Sequence, residues 1–167
     1  GVDPRVAAVI SCGGWGDGER ELRRYHPSPE AWARFTSMLV IGQAHQRRNG
    51  ESLMVARDDI APVPWYVESD QKDNEPKAYP VETAQSLYDF CADEVVQAVA
   101  PRPLLLLHAD EDQITSPTQS LELFRRSGSP TELHVLTDVD SLLCADSNPR
   151  GQEVIRSWLA RYCPLSA

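Results

Sequence analysis

The chain has 167 residues, 41% hydrophobic and 25% charged, which is the size and balance of one ordinary globular domain. Sixteen basic against 25 acidic residues leave a net charge of −9, which argues against holding nucleic acid through its phosphates. The longest apolar runs, 6–10 and 104–107, fall far short of the ~20 residues that a membrane helix needs, and no signal-peptide pattern opens the chain.

Asp3-Pro4-Arg5 leads into Val6-Ala7-Ala8-Val9-Ile10, a wholly apolar stretch of the kind buried on both faces of a parallel sheet. An interior strand needs a neighbour on each side, so residues 6–10 predict self-association or a partner chain that completes the sheet. Gly13, Gly14, Gly16 and Gly18 then predict a loop. Ser28 as N-cap, Pro29 and Glu30 start a helix of about 20 residues. Trp32, Phe35, Leu39 and Gly42 line one face of it, with Arg47 and Arg48 near the end and Gly50 as cap. Residues 51–80 are the least regular, broken by Pro62, Pro64, Pro76 and Pro80, and Trp65 and Tyr66 among them suggest a loop folded onto the protein. Helices are expected over 81–90 and 94–99.

The last third alternates cleanly. Residues 104–107 read as a buried strand, and Ser116-Pro117 starts a helix carrying Leu121, Leu123 and Phe124 that stops at Gly128. A strand over 133–136 and a helix over 153–162 follow, the latter burying Val154, Ile155, Trp158 and Leu159. Strand–helix–strand–helix with short connections predicts an α/β class built on a mostly parallel sheet of about three strands. Cys12, Cys91, Cys144 and Cys163 are widely spaced, without zinc-type clustering and too sparse for a disulfide scaffold. They read as reduced thiols of a cytoplasmic protein, with a Cys144–Cys163 bridge as the alternative.

Ligands of open parallel sheets bind beyond the carboxyl ends of the strands. Here those ends are 12–18, 108–112 and 138–144. The segment Pro101-Arg102-Pro103-Leu104-Leu105-Leu106-Leu107-His108-Ala109-Asp110-Glu111-Asp112-Gln113-Ile114-Thr115-Ser116-Pro117 resembles the acid-bearing turn of the α/β-hydrolase family. Residues 149–164, with Ser157-Trp158-Leu159, resemble the closing helix of that family, and 3–9 resemble the strand after its nucleophile helix. The dienelactone-hydrolase-like and polyketide-transferase-like branches are nearest.

The resemblance implies a single partial domain, with a sheet core at 1–18 and 101–167 and a variable helical, lid-like insertion at 19–100. It implies Asp112 as the catalytic acid, no cofactor, no metal, and an ester, thioester or lactone as a small acyl ligand. The nucleophile elbow Gly-x-Ser-x-Gly is absent from these 167 residues. In Thr137-Asp138-Val139-Asp140-Ser141-Leu142, Ser141 stands where the family places its histidine. A lone carboxylate cannot take a serine's proton, so the chain alone is expected to be non-catalytic, a binding or structural module. The alternative is a subunit or portion of a hydrolase or acyltransferase, completed by a segment that carries the nucleophile.

Each candidate also has a plainer role. Asp112 reads as a vestige, and Ser141 as a replacement partner for it. His108 and Cys12, at strand ends, read as packed residues. Trp15, Trp32, Trp65 and Tyr66, with His108, are the candidates to line a pocket, although large aromatics more often fill a core. His26, His45 and His134 are assigned no chemistry. Asp110-x-Asp112 after an apolar strand also resembles magnesium-dependent haloacid-dehalogenase-like phosphohydrolases. That site needs a lysine, and none follows Lys77. Asp138, Asp140 and Asp146 read as a solvated acidic loop and not a cation site.

Overall fold

Leu104-Leu105-Leu106-Leu107 has no polar side chain to turn toward water, so the strand that it forms must be covered on both faces. In the computed structural model this strand is β4 (Leu104–Ala109), buried along its whole length. It is the middle of a parallel sheet between β1 (Val9–Cys12) and β5 (Thr131–Leu136), in the order β1-β4-β5. Val9 pairs with Leu104 and Cys12 with Leu107 on one side, and Leu104 with Thr131 through Ala109 with Leu136 on the other. The structure describes residues 3–61, 76–139, 143 and 148–164. The chain divides into two units, a sheet unit of Gly1–Gly16 with Cys91–Ala167 and a helical unit of Asp17–Phe90.

The alternation of β4 sorts its side chains into two cores. Leu104 and Leu106 pack with Val96 and Leu123. Leu107 and Ala109 pack with Leu136 and Leu143, against which Val154 and Ile155 also lie. The helix bearing Leu123 is α5 (Thr118–Arg126), the crossover between β4 and β5. The helix bearing Val154 and Ile155 is α6 (Pro149–Tyr162), capped by Asn148, whose Oδ1 accepts from the Gly151 N–H at 3.2 Å. Burying apolar area on both faces is worth about 25 cal/mol per Å² and makes β4 the most secure piece of this unit.

The helical unit opens with α1 (Gly18–Tyr25), where the expected glycine loop gives way to a helix. Asp17 caps it by accepting from the Arg20 N–H at 2.7 Å. The next helix, α2 (Pro29–Asn49), starts and stops where its signals put it. Ser28 accepts from the Ala31 N–H at 3.1 Å, and Gly50 closes the helix with a left-handed φ of 71°. The stretch expected to be irregular contains β2 (Met54–Ala56), the single-turn α3 (Arg57–Ile60) and β3 (Ala78–Pro80). The two strands pair antiparallel, Val55 opposite Tyr79. They are too short for a periodic signal, and residues 57–77 separate them. The last helix, α4 (Val81–Tyr88), packs on α2 where Gly42 meets Val81.

Three boundaries differ from the sequence expectation. The first strand is Val9–Cys12 and not 6–10, and Val6 is 40% exposed. The neighbouring chain at 101–103 contains Pro101 and Pro103, which have no N–H, so a ladder cannot extend back along residues 6–8. Instead, Val9 N–H donates to the Pro103 carbonyl at 3.0 Å and starts the ladder there. The expected helix over 94–99 is two 3-10 turns, Ala92–Glu94 and Val96–Val99. These turns belong to the sheet unit, whereas the sequence placed residues 91–100 in the insertion. Among the described residues no helix is long and apolar enough to cross a membrane.

Candidate functional site

The loops after β1 and β4 meet in the sheet unit, and Asp112 is at their junction. Its side chain is 3% exposed. The Oδ1 atom accepts from two backbone amides, Ile114 N–H and Thr115 N–H, both at 2.8 Å. This is the turn that an aspartate makes when its side chain satisfies the backbone that follows it. The other oxygen, Oδ2, accepts no hydrogen bond from the described residues. A Cβ added at Gly13 would stand 3.4 Å from it. Gly13 has a left-handed φ of 61°, which favours a residue without a side chain, while the added Cβ itself would make only ordinary contact.

His108 is the penultimate residue of β4, four residues before Asp112, and is fully buried. Its Nε2 lies 3.1 Å from the Thr115 carbonyl and its Nδ1 2.7 Å from the Ser120 Oγ. A carbonyl only accepts, so Nε2 carries the hydrogen, and Nδ1 then accepts from the Ser120 hydroxyl. Nε2 is also 3.6 Å from Asp112 Oδ2, inside ion-pair range and beyond a hydrogen bond. The ring has no surface open to solvent, so from this position it offers no face to a substrate.

The surrounding residues hold the same junction. Trp15 Nε1–H donates to Thr115 Oγ1 at 3.2 Å, and Gly16 N–H donates to the buried Gln119 Oε1 at 2.9 Å. Thr115 is thereby gripped at its amide, its hydroxyl and its carbonyl by Asp112, Trp15 and His108. Sequence reasoning found Asp112, His108 and Trp15 separately but missed Thr115, Gln119 and Ser120. The available signal was the histidine four residues before the aspartate at a strand end, which could not reveal what the following helix turns back toward it.

The remaining candidates lie elsewhere. Trp32 belongs to the helical unit, where the Arg23 guanidinium lies 4.1 Å above its ring and Phe35 and Tyr88 pack at ring distances of 5.5 and 6.1 Å. Trp65, Tyr66 and Ser141 lie outside the described residues, as do Cys144, Asp140 and Asp146. Cys12, Cys91 and Cys163 form no disulfide. Among the described residues no group of three or more His, Cys, Asp or Glu side chains could hold a metal ion. The helical unit also has a cleft of about 460 Å³, walled by Phe35, Met38, Met54 and Val55 with Arg34 and Asp58 at its edge.

No protein-family model matches the chain, and no curated protein is similar enough in sequence to match it. Solved structures do match. The alpha/beta hydrolase GrgF from Penicillium sp. sh18 superposes with a TM-score of 0.72 at 18% identity, over 98% of this chain and 58% of that one. A hypothetical protein from Pseudomonas aeruginosa, PA2218, gives 0.70 at 15% identity, over 96% of this chain and 55% of that one. The monoacylglycerol lipase of Paleococcus ferrophilus gives 0.58 at 17% identity, over 95% and 60%. The chain thus spans less than two thirds of the length of each. Identities this low speak to the fold alone. The chain has the fold of the C-terminal part of an α/β-hydrolase.

Proposed function

We propose that this chain is the acid-bearing part of an α/β-hydrolase-type protein. By itself it is non-catalytic. A further segment completes it, supplying a nucleophile, a base and a strand against β1, for chemistry on an ester, thioester or lactone. The observation that carries this reading is the state of Asp112. Its Oδ1 is saturated by two amides, while Oδ2 accepts no hydrogen bond from the described residues. A carboxylate held this way keeps one orientation and retains room for one more donor, such as the N–H of a catalytic imidazole.

In that role Asp112 touches no substrate. It orients the imidazole and stabilises the cation formed when the base takes the nucleophile's proton. The nucleophile bonds to the acyl carbon, the alcohol or thiol departs with the proton, and water then releases the acid and restores the nucleophile. The helical unit is the counterpart of the variable lid of that family. A reducing, cytoplasmic setting fits the few, widely spaced cysteines of the sequence.

A second reading, a hydrolase-derived binding or structural module, is favoured by one fact. The chain has no histidine after His134, which is inside β5. The two readings separate in one experiment on the natively purified protein with every chain that accompanies it. Turnover of short p-nitrophenyl esters and acyl thioesters is compared between the wild type and Asp112→Asn. The acid reading expects hydrolysis that falls by roughly 10³-fold or more in the variant. Hydrolysis indifferent to the substitution overturns it, and a native assembly without turnover leaves the module.

A further inference from the structure

We infer that His108 is a positioning residue for Asp112, a buried strut that sets the direction of the carboxylate. It is neither the missing base nor a passive core side chain. The loop 110–117 has to leave β4, turn and enter α5. Its path is fixed by only a few groups, and His108 joins three of them. From the end of β4 the imidazole reaches the Thr115 carbonyl at 3.1 Å and the Ser120 hydroxyl on α5 at 2.7 Å. The amide of that same Thr115 donates to Asp112 Oδ1 at 2.8 Å. The imidazole therefore acts on the carboxylate through the two faces of one residue. The positive end of its Nε2–H dipole also lies 3.6 Å from Oδ2.

Both contacts need the same tautomer, with hydrogen on Nε2 and a lone pair on Nδ1. The Thr115 carbonyl sets it, because it only accepts and so takes the Nε2–H, and the buried Ser120 hydroxyl is placed to donate to Nδ1. The Nε2–H of the ring thus faces the acid loop. Oδ2 is thereby left without a hydrogen bond and directed past Gly13, where no side chain intrudes. The loss of the strut would free the loop to rotate the carboxylate, whether or not the protein turns over any substrate.

Two substitutions split the strut. The Gln side chain places an amide near Nε2 and the Asn side chain places one near Nδ1. His108→Gln therefore keeps a donor for Thr115, while His108→Asn keeps only the Ser120 side. The readout is amide hydrogen exchange in the native protein, at Ile114 and Thr115 for the loop and at residues 104–107 for the core. Expected is exchange faster by about tenfold at Ile114 and Thr115 in His108→Asn, the loss of one buried hydrogen bond, with most of it restored in His108→Gln and the strand amides unmoved. Equal effects of the two variants, or faster exchange that spreads equally to 104–107, would mean a merely structural histidine and overturn the proposal.

The consequence for rate rests on the reading of Asp112 as the acid. In a native assembly that hydrolyses esters, His108→Asn lowers kcat with KM unchanged and adds no further loss on top of Asp112→Asn. Additive losses overturn the coupling. Turnover unaffected by Asp112→Asn removes the acid reading alone, and the exchange result stands apart from it.

Discussion

Tyr88 shows how far one neighbour controls a side chain here. Its hydroxyl donates to Glu19 Oε2 at 3.3 Å. Partial burial pushes its ionisation above the ordinary phenol value, and the Glu19 charge adds to the push, because a phenolate would be both desolvated and beside a carboxylate. The stability from keeping this phenol neutral is full below the ordinary value near 10, and it is lost as pH rises through the raised value. Absorbance titration of the folded protein should find one tyrosine ionising late, and Glu19→Gln should return it part of the way. A late tyrosine unchanged by that substitution would make burial the whole cause. The same dependence on neighbours explains why Asp112 was legible and its network was not. The aspartate follows a buried strand in the sequence, but Ser120 and Gln119 reach the loop only because α5 folds back along it.

At the scale of elements, local chemistry was decisive where it was complete. Ser28, Pro29 and Gly50 bound α2 at both ends because each satisfies a backbone need without help from distant residues. Where local signals were weak, tertiary contact decided. β2 and β3 exist only as each other's partner, whereas α1 starts on a local cap, Asp17, that the glycines around it obscured. The packing of α4 on α2 depends on a missing side chain. A Cβ on Gly42 would fall well inside contact distance of both methyl groups of Val81, which is 2% exposed and has little room to give way. Gly42→Ala should cost about 1–3 kcal/mol in urea unfolding, as overpacking does. Gly42→Ala with Val81→Ala should be less destabilised than the sum of the two single variants. Simple additivity would place the strain elsewhere.

Among the described residues the parallel sheet has two edge strands, β1 and β5, of different character. On β5, Glu132 is bridged to Arg161 at 2.8 Å and lies 3.4 Å from His134, and charges on an edge discourage pairing. Among the described residues β1 is paired on one side only, with β4. The strand proposed to complete the sheet would lie against its other side. The 167-residue chain produced alone should therefore self-associate at micromolar concentration, as read by sedimentation velocity, because an unpaired strand is a template for another copy. A monodisperse, stable monomer would show that β1 needs no such partner.

The sequence by itself determined the class and the parallel sheet, and it put Asp112 just beyond a buried strand. Apolar runs, helix caps and the strand–helix alternation act over a few residues, and their physics is written in those residues. Only the tertiary structure decided where β1 begins, that Val96 and its turn pack against β4, and that His108 faces Ser120 and Thr115. Those outcomes depend on which backbone groups and side chains arrive from far along the chain, and no local pattern encodes that arrival.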